Sequence, residues 1–127
     1  MIEDWFIASI DRVDGAANDL HEALERHMVA LREARNQRLA GVGSADIVKG
    51  LLSHGGRDIR LAPTLAFREL ERAVADYRAS KVRALVDEEQ LTFTEVAKLT
   101  GVSRQIVARL YKGAVVRDLG VTSRDEN

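Results

Sequence analysis

The chain contains no cysteine in its 127 residues. Disulfide frameworks and cysteine-ligated zinc sites are thereby excluded, and a reducing compartment is the expected home. Only one proline, Pro63, interrupts the sequence. No apolar run approaches the roughly 18 residues needed to cross a bilayer, and the opening Met-Ile-Glu-Asp-Trp lacks the basic start of a secretory signal. The sequence therefore predicts a cytoplasmic protein with no membrane association. Also missing are a phosphate-binding glycine loop, a nucleophile elbow and a histidine pair at metal spacing, so neither an enzyme nor a bound cofactor is expected.

What is present suits one helical domain with a real core: hydrophobic residues make up 46% of the chain, and glycines mark the breaks between periodic segments. The net charge of −1 hides an uneven distribution. Residues 1–40 carry 5 basic and 8 acidic side chains, whereas residues 92–113 carry Lys98, Arg104, Arg109 and Lys112 against Glu95 alone. Positive charge is concentrated in one C-terminal stretch, where it can meet phosphates.

The expected fold is all-α: a long N-terminal coiled-coil-like helix, a short helix, a long linker helix and a C-terminal pair of short helices. Phe6, Ile10, Val13, Ala17, Leu20, Leu24, His27, Leu31 and Ala34 alternate at intervals of four and three, the seam of a heptad helix that must be covered by another helix. Gly41 and Gly43 end that helix, and Gly15 is a weak point within it. Ser44 is the expected N-cap of a short helix through Ile47, Val48, Leu51 and Leu52, which stops at Gly55-Gly56. Residues 57–62 read as a connector, with Pro63 at the start of a helix from Thr64 to Glu89. Its apolar stripe is Phe67, Leu70, Val74 and Tyr77, passing to Val82, Leu85 and Val86. The domains expected are 1–63 for dimerisation, 64–113 for the linker helix and C-terminal helices, and 114–127 as a tail.

The informative stretch is Leu91 to Gly113. Thr92 and Glu95 have the spacing of a capping box, so a helix begins at Phe93. Gly101 supplies a left-handed turn, and Ser103 caps a second helix that Gly113 ends. Two helices crossing steeply at such a turn need a small residue at the corner, which Ala97 provides, and an apolar lock, assigned to Val96, Val102, Val107 and Leu110. Arg104, Gln105, Ala108, Arg109 and Lys112 are left facing outward. Such a surface suits a DNA major groove: arginine pairs with guanine, glutamine with adenine, and alanine admits a thymine methyl.

These residues resemble the helix-turn-helix of bacterial regulators and of the resolvase and invertase recombinases, at Val96-Ala97, Gly101-Val102-Ser103-Arg104, and Val107 with Leu110. More loosely, the chain looks like small actinobacterial regulators. The resemblance covers about a fifth of the chain and lacks the recombinase catalytic domain, so recombination is not implied. It implies that the second helix enters the major groove, with Ser103, Arg104, Gln105 and Arg109 touching bases or phosphates. Thr92, Thr94, Ala108 and Lys112 complete the expected DNA-binding set.

The expectation is a sequence-specific transcriptional regulator that binds double-stranded DNA as a homodimer through its long helices, associated with the nucleoid. A nucleoid-associated architectural protein and an interaction adaptor with a vestigial helix-turn-helix are the alternatives. The plainer reading of the scattered charges is that they line solvated helix faces. His27 on the seam reads as a register-setting polar residue and His54 as surface loop. His21 and Glu25, one turn apart, do not close a metal site, and no metal is expected. The sequence names no small-molecule effector.

Overall fold

A computed structural model describes residues 4–53 and 56–126, with side chains over 4–53 and 58–116. Among the described residues there are five α-helices: α1 (Trp5–Leu39), α2 (Ser44–Ser53), α3 (Gly56–Asp87), α4 (Phe93–Thr100) and α5 (Arg104–Glu126). The described residues include no strand. The chain forms two compact units, one of residues 1–13 with 72–127 and one of residues 14–71.

Asp4 starts α1 by accepting hydrogen bonds at Oδ1 from the amides of Phe6 (2.9 Å) and Ile7 (3.0 Å), which satisfies two donors that a helix start leaves open. The helix then runs unbroken through Gly15 to Leu39. Gly41, at φ 93°, stops it in the left-handed conformation, and the amide of Val42 returns 3.0 Å to the carbonyl of Gln37.

The covered seam of α1 differs from the expected one. Phe6, Val13, Leu20, His27 and Ala34 are half-buried, but between them lie buried Ser9, Ala16 and Ala23 and half-buried Ala30. Ile10, Leu24 and Leu31, assigned to the seam from their spacing, are 43–45% exposed, and Ala17 is exposed too. Both sets satisfy the same four-three alternation one residue apart, so spacing alone does not choose between them. Packing does: a small side chain every seventh residue lets another helix approach closely, where isoleucine and leucine hold it away. The third helix repeats the device with Ala66, Ala73 and Ser80, and Ala73 is completely buried.

α3 also begins earlier than the sequence suggests. Residues 57–62 are helical rather than a connector, and Pro63 lies inside the helix. A proline there removes one intrahelical hydrogen bond, at about 3 kcal/mol in an isolated helix. Phe67, placed on the apolar stripe, is 52% exposed. The second helix includes Ser44 as its first residue, and the amide of Ile47 donates to the carbonyl of Gly43 (3.1 Å). The stop assigned to Gly55-Gly56 and the loop assigned to His54 fall partly outside the described residues; Gly56 already belongs to α3.

In the unit of residues 1–13 and 72–127, the start of α1 runs antiparallel to the end of α3. The guanidinium of Arg83 lies 4.7 Å from the Trp5 ring centre, Phe6 stacks on Tyr77 at 6.1 Å, and Arg12 pairs with Asp76. The centre of this unit is Val82, Val96 and Val107, surrounded by Leu85, Val86, Leu91, Phe93, Ala97, Leu110 and Tyr111.

This packing sets the expected response to two substitutions. Gly15 is exposed and helical, and a methyl group added to it would meet nothing within 4 Å, so Gly15→Ala should raise stability by about 0.5–1 kcal/mol in denaturant titration. Val107→Ala should lower it by about 2 kcal/mol, because truncating a fully buried side chain leaves a cavity that its neighbours only partly fill.

Candidate nucleic-acid interface

The fourth and fifth helices are positioned from the backbone upward. Gln90, at φ 57°, turns the chain out of α3, and the amide of Leu91 donates 3.1 Å to the carbonyl of Leu85. Thr92 then caps α4: its Oγ1 accepts from the amide of Glu95, and Glu95 Oε1 accepts from the amide of Thr92, both at 3.1 Å. Near the end of the helix, Thr100 Oγ1 donates 2.7 Å to the carbonyl of Val96. Gly101 follows at φ 78° and donates its amide to the carbonyl of Ala97. Ser103 Oγ accepts from the amide of Ile106 (3.1 Å), which caps α5.

Val96 and Val107 point inward from the two helices and meet Val82 of α3. Half-buried Ala97 and Leu110 pack against them. Val102, expected in the lock, is 37% exposed at the turn. Its place in the core is taken by residues outside α4 and α5, Val82, Leu85 and Leu91, and by Phe93 and Tyr111, whose rings lie 5.5 Å apart. Tyr111 also donates a hydrogen bond of 2.7 Å from its hydroxyl to Asp87 Oδ1. The contact joins α5 to the end of α3. Asp87 lies 24 residues away, and no local pattern pairs the two.

Burial of Val107 and Ala114 fixes the rotation of α5. Gln105, Arg109 and Lys112 lie on the opposite face at helical spacing, all exposed, and Arg104 occupies the flank of the first turn, also exposed. Ala108, expected outward, is half-buried. Thr94 is exposed, while Thr92 is exposed with its hydroxyl engaged in the cap. Among the described residues, Arg104, Arg109 and Lys112 have no carboxylate partner, and the first turn of α5 carries no acidic residue. Free cationic groups therefore share the exposed side of a helix whose N-terminus itself carries partial positive charge. This helix does not stop at Gly113, as its glycine suggested, and helical backbone continues to Glu126 through the segment taken as a tail. Gly113 sits in that helix with nothing near its missing side chain.

No three histidine, aspartate or glutamate side chains converge among the described residues. No described helix is long and apolar enough to cross a membrane. Compared with protein-family models, curated proteins and solved structures, the chain matches none.

The Tyr111–Asp87 contact makes stability depend on pH. The hydrogen bond to Asp87, followed by partial burial and the negative charge of that carboxylate, raises the Tyr111 hydroxyl above its ordinary value of 10.0, against a smaller lowering by Arg83. The folded state thus holds the phenolic proton more tightly than the unfolded chain. Its contribution is complete below about pH 10 and is lost as pH rises through the raised value. In thermal melts from pH 7 to 11, Tyr111→Phe should start lower at neutral pH and lose less than wild type at the alkaline end.

Proposed function

We propose that the chain is a DNA-binding transcriptional regulator: α4, the Gly101 turn and α5 act as a helix-turn-helix, and the protein works as a homodimer. The observation that carries this reading is the rotation of α5. Its apolar side is committed to Val82 and Val96, which leaves Arg104, Gln105, Arg109 and Lys112 exposed together behind a serine-capped N-terminus. Arginine and glutamine at these positions offer the bidentate donors and acceptors that read base edges, while Lys112 supplies a phosphate contact. Ser103 and Thr94 are further phosphate contacts, at the N-terminal turns of their helices. Two such heads related by a two-fold axis would address a palindromic site with half-sites about one helical turn apart.

A second reading has its own observation. Leu99, Val102 and Ile106 are exposed around the same corner, Leu99 at 66%, and an apolar edge of that kind suits a protein partner. An adaptor of this type would keep the two-helix corner and make no use of its arginines.

Anisotropy titration of duplex DNA separates the two readings. The wild-type chain should bind with strong salt dependence, and an Arg104→Ala, Arg109→Ala double variant should bind at least about a hundredfold more weakly, at roughly tenfold or more for each lost base contact. Lys112→Ala should instead weaken all sequences alike and lower the salt slope by about one. Equal affinity of wild type and the double variant, or no retention of DNA at low salt, would sink the proposal. Competition by bulk DNA reports whether recognition is sequence-specific or architectural.

A further inference from the structure

The unit of residues 14–71 holds little apolar volume inside. Among the described residues its buried hydrophobic side chains are Ala16, Ala23 and Ile47, and the largest fully buried ones, Val82, Val96 and Val107, all lie in the other unit. By contrast Leu24, Met28 and Leu31 of α1 and Val48 and Leu52 of α2 are 42–59% exposed. They form one face. Leu24, Met28 and Leu31 follow each other at intervals of four and three along α1, and Leu31, Val48 and Leu52 line a single 240 Å³ cavity with His27 and Ile59. These five side chains expose apolar surface on the order of 400 Å², about the apolar share of the roughly 800 Å² that each partner contributes to a standard interface. A patch of about that size is often the largest on a protein's surface and is often functional.

We propose that this face is the homodimer interface and that two copies of α1 pair antiparallel across it, with the two-fold axis beside Met28. The charge along the flank selects a second copy over some other apolar partner. Glu25 and Arg32 lie on the same side of the Leu24–Met28–Leu31 stripe, both exposed, one helical turn on either side of Met28. An axis beside Met28 brings residue 25 of one copy level with residue 32 of the other, and does so twice. The flank is then complementary to itself, as an isologous interface requires. A parallel pair places the two copies of Glu25 at one level and the two copies of Arg32 at another, and loses that match. The proposal deepens the dimeric part of the functional reading and stands without its DNA-binding part.

Sedimentation of the full chain without DNA tests it, using E25R, R32E, an equimolar mixture of the two, and L31S, with circular dichroism confirming that helix content is kept. Wild type should be a dimer. Either charge reversal sets like charges against each other at both contacts and should weaken self-association about tenfold at low salt. The mixture should recover wild-type affinity, because in a heterodimer of E25R with R32E every 25–32 contact is again between opposite charges. L31S should weaken association about a hundredfold, through loss of apolar burial at two equivalent positions. A monomeric wild type, reversals that leave the dimer unchanged, or weakened reversals whose mixture stays weak would each overturn this pairing. Loss of DNA binding in the Arg104→Ala, Arg109→Ala variant with the dimer intact tells failure of one proposal from failure of the other.

Discussion

Three valines from three different helices hold the C-terminal half of this protein in place. Val82, Val96 and Val107 are sealed from solvent, none more than 1% exposed. Their contact sets more than stability. Once Val107 is buried, α5 has no rotational freedom left about its own axis, and the residues 2 before it and 2 and 5 after it must face away. Gln105, Arg109 and Lys112 are thus presented by a packing constraint, and their exposure is a consequence of what valine needs. The backbone devices around them serve the same end: the Thr92–Glu95 box, the left-handed Gly101 and the Ser103 cap fix where α4 begins and ends and where α5 begins, so that the valines arrive in register.

Two packing devices operate among the described residues. In the C-terminal unit, three fully buried valines sit within a shell of half-buried Leu85, Phe93, Leu110 and Tyr111, a fully buried valine contributing about 1.5–3 kcal/mol. Along α1 the most deeply covered positions, Ser9, Ala16 and Ala23, are serine and alanine, which bury little area apiece and act by letting helices come close. Close approach gains van der Waals contact along the backbone, yet it leaves the larger aliphatic residues on the next face over. Among the described residues, the unit of residues 14–71 buries one isoleucine besides Ala16 and Ala23, well short of the core that a domain of its size needs. Apolar residues pushed outward by a small-residue seam are thus the direct counterpart of the seam itself.

The same contrast decides which features could be read from the sequence. Capping chemistry is local and carried by residue type at fixed offsets, so Thr92, Glu95, Gly101 and Ser103 announce α4 and α5 and where they start. Heptad spacing is local as well, but it fixes only a period. Two interleaved sets along α1, Ile10-Ala17-Leu24-Leu31 and Ser9-Ala16-Ala23-Ala30, share that period, and hydrophobicity favours the wrong one. The choice rests on how closely a distant helix approaches: Arg12 meets Asp76 across a separation of 64 residues, which no local window contains. Pro63 and Gly113 misled for a related reason: each weakens a helix when considered alone, and in both cases the helix continues. The Tyr111–Asp87 hydrogen bond and the exposure of Val102 depend on tertiary partners and carry no local mark.

Electrostatics ties the two halves of the reading together. A chain of net charge −1 has no general attraction for phosphates, and among the described side chains of α5 one C-terminal head offers Arg104, Arg109 and Lys112, with Lys98 on α4. If about three phosphates are neutralised per head, affinity falls with roughly the 2.7 power of salt concentration, a loss of about fortyfold between about 50 and 200 mM. Two heads acting together double that exponent while their binding free energies combine, so occupancy at low salt rises far above that of either alone. Under the proposed function, a head this sparsely charged would be a poor ligand for DNA as a monomer and an effective one as a pair. The apolar face of residues 14–71 and the cationic helix are separate in sequence and chemistry, yet if the proposed dimer forms through that face, the physics of phosphate binding would make DNA affinity depend on it.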